Sequence, residues 1–294
     1  MSNCKANLPL IVIAGPTASG KTSLAIRVAQ KYDGEVISAD SRAIYRGLDI
    51  GTAKPSVAER QGIPHWGIDI VNPGDRFTVA NFKVYAQQKI DQIRARNRLP
   101  ILVGGTGLYI DSVLYDFQFT IHSNDLEKRN VLEKKSLESL IHYCEINNIK
   151  LPENYKNKRY VINAIVRDGK KPLRNCNMLS NTVFVGIKTD RDILRDRIRQ
   201  RAKNIVNNAT IDETTKAVER WGWDNEAMTG NIYSLIKQYL CGNINIVELE
   251  EKFCVLDWRL AKRQLTWLKR NKDVQWHSLD DAWTYIVHSL DKNL

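Results

Sequence analysis

The sequence predicts an α/β fold, a parallel sheet flanked by helices that also carries a helical insertion and a helical C-terminal segment. Continuous apolar runs of strand length, Leu10-Ile-Val-Ile13, Pro100-Ile-Leu-Val103 and Thr182-Val-Phe-Val-Gly-Ile187, read as strands buried on both faces, as parallel strands are. Stretches with helical spacing separate them, and strands alternating with helices build a parallel sheet. Gly15-Pro-Thr-Ala-Ser-Gly20-Lys21-Thr22 fits G-x-x-x-x-G-K-[ST] between the first run and the first helix, where a phosphate loop belongs.

Along the chain, the first strand closes at Ala14-Gly15 and a helix starts at Lys21, with Leu24 and Val28 on one face. Glu35-Val-Ile-Ser38 is a second short strand. Thr78 is placed to cap a helix reaching about Asn97, because Val79, Phe82, Ala86, Ile90 and Ile93 recur at steps of three and four. The third strand ends in Gly104-Gly105, and the Thr182 strand leads into a helix from Asp190. Between about Phe117 and Asn181 buried strands vanish and Lys, Arg, Asn and Tyr become dense, so 118–180 reads as a helical insertion. Residues 1–117 and 181–294 then form the core, whose last third reads as helices: Trp258, Leu265 and Leu268 share a face ringed by Arg259, Lys262, Arg263, Lys269 and Arg270.

A net charge of +11 favours a polyanionic partner, since each phosphate neutralised releases a condensed counterion. The cysteines Cys4, Cys144, Cys176, Cys241 and Cys254 show no C-x-x-C spacing, which argues against a zinc site or redox pair and fits a reducing cytosol. The apolar run at Leu10–Ala14 is too short for a leader or a membrane span. A cytoplasmic protein is expected.

In the phosphate loop, Gly15, Pro16, Thr17, Ala18, Ser19 and Gly20 curl so that backbone N–H groups and a helix N-terminus face a diphosphate or triphosphate. Lys21 brings charge to the terminal phosphate, and the Thr22 hydroxyl is placed for Mg2+. Asp40 ends the second strand, where strand termini line a ligand crevice; it either takes a proton or assists a metal, or else caps a turn. Gly104-Gly-Thr-Gly107 either admits a ligand or makes a tight turn. Arg197 and Arg201, one helical turn apart, form either an anion clamp or a solvated face. The tryptophans of the basic C-terminal helix either stack on nucleic acid or fill a core.

Together these segments resemble the bacterial tRNA dimethylallyltransferases, also called tRNA isopentenyltransferases, almost end to end. The resemblance rests on the phosphate loop, Ile37-Ser-Ala-Asp-Ser41, Ile44-Tyr-Arg-Gly-Leu-Asp-Ile-Gly-Thr-Ala-Lys-Pro55, Pro64-His65, Asp69-Ile70, Leu102-Val-Gly-Gly-Thr-Gly-Leu-Tyr109, Arg197-Ile-Arg-Gln-Arg201 and Ala261-Lys-Arg-Gln-Leu-Thr-Trp267. It implies dimethylallyl diphosphate as donor, held by the loop with Mg2+. The acceptor it implies is the exocyclic N6 amine of the adenosine 3′ to the anticodon, in tRNAs reading codons that begin with U.

By the same resemblance Asp40 is the general base, Thr17 sits near the reacting carbon, and Arg201 neutralises departing diphosphate with Lys21 and Thr22. Ser41, Arg42 and Ala43 contact the target base with Asp40. Thr106 and Arg129 mark the substrate channel, while Arg159 of the insertion and Arg259 and Arg263 of the C-terminal helix meet the tRNA. A monomer is expected, since one tRNA would cover much of the basic face. The chain departs from the family pattern at Ala43, often Gln or Leu; at Arg159-Tyr-Val-Ile-Asn163-Ala-Ile-Val166, which lacks two arginines and a glutamate; and at Ile232-Tyr-Ser-Leu235. The competing readings are a kinase using ATP on the same loop and an RNA-binding P-loop protein without catalysis.

Overall fold

A computed structural model of the chain describes residues 8–118, 124–169, 175 and 177–292; Cys4 and Cys176 lie outside them. The chain divides into two compact units, Met1–Leu114 with Asn177–Leu294, and Tyr115–Cys176. The boundaries thus fall slightly earlier than the 117/118 and 180/181 read from composition. Leu179 N donates to Leu114 O at 2.8 Å, so the returning chain joins the larger unit before its strand begins.

The larger unit opens with β1 (Leu10–Ala14), α1 (Lys21–Lys31), β2 (Gly34–Ala39), β3 (His65–Trp66), α2 (Val79–Ala95), β4 (Leu99–Gly104) and α3 (Gly107–Leu114). The helix from Thr78 has the cap read from the sequence: Thr78 accepts from Asn81 N, and Asn81 reaches back to the Thr78 N–H. The smaller unit holds α4 (Asn124–Glu133), α5 (Leu137–Ile146) and α6 (Lys158–Val166). Its own core comprises Leu132, Leu140, Cys144, Val161, Ile162 and Ile165. The larger unit resumes with β5 (Thr182–Ile187), α7 (Arg191–Ile205), α8 (Asn208–Trp221), a 3-10 turn at Ala227–Thr229, α9 (Asn231–Leu240), α10 (Ile246–Leu268), β6 (Gln275–His277) and α11 (Leu279–Asp291).

Among the described residues the sheet is six-stranded in the order β3-β2-β4-β1-β5-β6, and every pairing is parallel. β3 and β6 are departures from the sequence reading. They are two and three residues long and carry polar and aromatic side chains, so no apolar run marks them. β1 lies between β4 and β5, and the crossovers on its two sides run outward in opposite directions. The loop after β1 therefore opens at the switch point where α/β sheets bind ligands.

On one face of the sheet Ile11, Ile13, Val36, Ile101, Val103, Val185 and Ile187 pack against Leu24, Ala25, Val28 and Ala29 of α1 and Ala282, Ile286 and Leu290 of α11. Tyr32, just past α1, donates to Asp291 Oδ1 at 2.7 Å and fixes the end of α11. A second core joins Ile44, Tyr45 and Leu48 of the loop after β2 to Ala202, Ile205, Ile232, Tyr233, Leu249 and Phe253 of the C-terminal helices.

The turn after β4 explains its glycines. A Cβ at Gly104 would stand 2.2 Å from Ala39 O, one at Gly105 2.4 Å from Gln264 Nε2, and one at Gly107 2.0 Å from Trp267 Cδ1. These glycines let β2 and α10 approach the turn, and Thr106 between them lines the cavity described below together with Gly104. Gly107→Ala should destabilise the fold by about 1–3 kcal/mol through overpacking, read as a lower thermal midpoint with helix content kept.

Candidate active site

The phosphate loop is shaped by its own backbone and braced from outside. Ala18 and Gly20 have φ of 61° and 85°, and the left-handed turn at Gly20 starts α1. Gly15 N donates to Gly104 O at 3.3 Å, and Ser19 N to Pro16 O at 3.3 Å. Thr17 N donates to Gln264 Oε1 of α10 at 2.8 Å. Arg197 Nη1 of α7 donates to Ser19 O at 3.4 Å, so this arginine supports the loop. The Lys21 ammonium reaches back to Pro16 O at 3.0 Å. Burial pulls its pKa down to about 8, Asp40 opposing that shift and Arg201 adding to it. The Ser19 hydroxyl is buried with no hydrogen-bond partner among the described residues.

At the end of β2, Asp40 Oδ1 accepts from Arg42 N at 2.8 Å. Ser41 N donates to Thr106 Oγ1 at 3.1 Å, while Thr106 N donates to Ala39 O at 3.2 Å. The Arg42 guanidinium donates to Glu226 O at 2.7 Å and to Thr229 Oγ1 at 3.1 Å; it anchors the 3-10 turn. Ala43 is buried.

A cavity of about 290 Å³ gathers Thr17, Lys21, Thr22, Asp40, Ser41, Arg42, Ala43, Thr106, Arg201 and Arg263 along its wall. Gly15, Pro16, Ala18, Ser19 and Gly20 form the loop behind it. Arg259 is exposed on α10 and is not part of the lining. Arg129 and Arg159 belong to the smaller unit. There Arg129 bonds Asn163 Oδ1, and Arg159 is exposed in the first turn of α6, whose cap Asn157 accepts the Arg159 N–H.

Of the tryptophans left open between packing and stacking, Trp267 donates its indole N–H to Asp111 Oδ2 at 2.7 Å. Trp258 packs on Leu194, Ile198 and Ala261, with Arg195 over its ring at 4.9 Å. Both are structural within the larger unit. The cavity thus unites an anion loop, the cationic side chains of Lys21 and Arg201 and a half-buried carboxylate, the parts needed to expel a diphosphate and receive a proton.

The model of the IPP transferase family matches residues 43–271, and the isopentenyl transferase model matches residues 8–69. The chain is 39% identical over 290 residues to the tRNA dimethylallyltransferase of Acetivibrio thermocellus, covering 92% of each. It is 37% identical to that of Bacillus cytotoxicus, covering 93% of this chain and 91% of the relative. The chain belongs to the IPP transferase family.

Solved structures agree. The tRNA isopentenylpyrophosphate transferase of Bacillus halodurans superposes with a TM-score of 0.73 at 32% identity, covering 97% of both chains. A eukaryotic dimethylallyltransferase acting on tRNA superposes at 0.75 with 22% identity, covering 93% of this chain and 74% of the other; that likeness shows the fold.

Within this IPP transferase the Asp49–Pro55 part of the Ile44–Pro55 stretch lines the cavity from Gly51 to Pro55 and is locked by Lys54. The Lys54 side chain is 2% exposed, and its ammonium donates to Asp49 Oδ1 at 2.7 Å, Asp69 Oδ1 at 2.5 Å and Tyr45 O at 2.5 Å. Glu213 of α8 accepts the N–H groups of Asp49, Ile50 and Gly51 at 2.7, 2.7 and 3.0 Å. Gly51 admits the Tyr233 hydroxyl, which would stand 2.6 Å from a Cβ there. Sequence reading also missed Asp257 and Gln264 as cavity residues. Their spacing of seven on α10 was the available signal, because it puts polar groups in the row of Phe253 and Leu260. Lys54→Met should cost about 2 kcal/mol, less than a fully buried pair because both carboxylates can reach water, read by denaturant unfolding.

Proposed function

We propose that this IPP transferase transfers a dimethylallyl group from dimethylallyl diphosphate to the N6 amine of the adenosine 3′ to the anticodon, in tRNAs reading codons that begin with U. Diphosphate is released. The observation that carries the reading is the single cavity joining the phosphate loop, Arg201 and Asp40. The relatives' names support tRNA prenylation and do not favour a kinase on the same loop.

In this mechanism the loop N–H groups and Lys21 hold the diphosphate, and the Thr17 hydroxyl lies toward the reacting carbon and the leaving oxygen. Arg201 and Lys21 stabilise the charge that grows as the C–O bond breaks. Arg42 N holds Asp40 Oδ1, and the carboxylate accepts the amine proton as the N–C bond forms. The adenine leaves the anticodon stack to reach the cavity.

Among the described residues no cluster of His, Cys, Asp and Glu forms an all-protein metal cage. Mg2+ suits such a site, since it takes one or two protein oxygens and completes its shell with substrate phosphates and water. Thr22 would supply a hydroxyl, and the ion when bound would neutralise diphosphate charge. Arg259 and Arg263 of α10, with Arg129 and Arg159 of the smaller unit, face tRNA in this reading, and the net charge of +11 supports such a partner. The enzyme works as a cytoplasmic monomer; no helix among the described residues is long and apolar enough to cross a membrane.

Isotopically labelled dimethylallyl diphosphate, unmodified tRNA and Mg2+ should yield labelled tRNA, about 10²-fold or more slowly for Asp40→Asn. Unlabelled tRNA together with ATP turnover would overturn the reading. The lowered Lys21 pKa gives a pH test of its own. The folded-state value near 8 lies below the ordinary lysine value of 10.5, so the unfolded chain binds more protons between them and the fold gains stability as pH rises through that window. Diphosphate affinity should move the other way, falling as Lys21 loses its charge above about pH 8. Calorimetry across that interval should show the loss in wild type and a flat profile in Lys21→Met.

A further inference from the structure

The buried face of α10 carries a carboxylate that the reaction as described leaves unused. Asp257 is 3% exposed, yet it borders the cavity. Its Oδ2 stands 3.3 Å from Arg201 Nε, and its Oδ1 accepts from Asn231 Nδ2 of α9 at 3.1 Å. A lone carboxylate at this depth would be strongly disfavoured; a cation and a donor make it tolerable. The constraint also runs the other way. Arg201 has a flexible side chain, and its guanidinium grips phosphate only when the fork is aimed. Asp257 engages the Nε edge by charge, because neither Nε nor Oδ2 makes an aligned hydrogen bond. That engagement leaves the terminal nitrogens for the anion.

Two turns further along α10, Gln264 takes the Thr17 N–H of the phosphate loop. One helix face therefore touches both halves of the anion site, while Arg259 stands exposed on the same helix.

We propose that Asp257 is a positioning residue: with Asn231 behind it, it aims Arg201 at the diphosphate. Asp257 contacts no reacting atom and acts through Arg201 alone. This role rests on the diphosphate-transfer reading above. If it holds, the effects of altering Asp257 and Arg201 must be coupled, since a lysine in place of the arginine is a point charge with no fork for the carboxylate to aim.

The test is a double-mutant cycle of Asp257→Asn and Arg201→Lys, with two readouts on the full chain. One is binding of inorganic diphosphate with Mg2+ by calorimetry; the other is kcat/KM for labelled dimethylallyl diphosphate at saturating tRNA. Asp257→Asn should weaken both by about 10-fold or more, in the range of a lost charge-assisted contact. It should leave tRNA affinity unchanged and lower neither readout further when placed on Arg201→Lys. Asp257→Glu, which keeps the charge, should recover part of the loss.

If Asp257→Asn binds diphosphate like wild type, or its loss multiplies in full with that of Arg201→Lys, the residue only supports the fold and the proposal is wrong. Should Asp257→Asn fail to fold, Asn231→Ala takes its place in the same cycle with the same criteria. Wild-type protein that neither binds diphosphate nor transfers label would overturn the underlying reaction instead, and this role with it.

Discussion

A loop that offers bare N–H groups to an anion holds its own shape only in part, because the groups facing the ligand are withdrawn from internal bonding. It has to be held from behind. Here β4 takes the Gly15 N–H, α10 takes the Thr17 N–H and α7 reaches the Ser19 carbonyl. These supports come from sequence positions far apart, and the parallel sheet is what brings them together. The close approach of α10 is possible because Gly105 and Gly107 carry no side chain. The glycine turn after β4 and the phosphate loop after β1 therefore act as one structure, although only the second touches phosphate in the proposed reaction.

The second requirement is electrostatic. Lys21 and Arg201 face the same cavity, where burial is the main cause of the lowered Lys21 pKa, Asp40 opposes it and Arg201 adds to it. Asp40 offsets Lys21, and Asp257 offsets Arg201. A doubly ionised leaving group entering such a space meets donors already in place, so little reorganisation is needed as charge develops. The Lys54 lock is separate. It joins Asp49 of the loop after β2 to Asp69 beyond β3, and Glu213 holds three consecutive N–H groups of the loop after β2. The wall of the cavity is thereby stiff where its floor is charged.

Much of this was legible in the sequence wherever physics leaves a local trace. Apolar runs announced β1, β4 and β5, since strands buried on both faces admit little else. The phosphate loop announced itself by spacing, and Thr78 by its capping chemistry. What stayed hidden depends on partners distant in sequence. β3 and β6 are polar edge strands that exist only because β2 and β5 offer them an open ladder. The glycines at 104–107 left two readings open until Gln264 and Trp267 were seen against them. Arg197 and Arg201, alike on a helical wheel, have different tasks because one meets the loop backbone and the other the cavity. Asp257 has one local trace, its place in the row of Phe253 and Leu260 on α10, while its pairing with Arg201 and Asn231 leaves none.

The sheet also sets an order of assembly during synthesis. β5 has an open edge until Gln275–His277 arrives as β6, and α1, among the first elements made, waits for α11 to cover it. The Tyr32–Asp291 bond spans almost the whole chain. While the ribosome is still adding residues, the nascent core thus exposes an apolar helix flank and an unpaired strand, the two features most prone to misassociation. A message cut short before codon 275 would yield a polypeptide with every phosphate-loop residue present and no finished sheet to hold them, a natural client for chaperones and proteases.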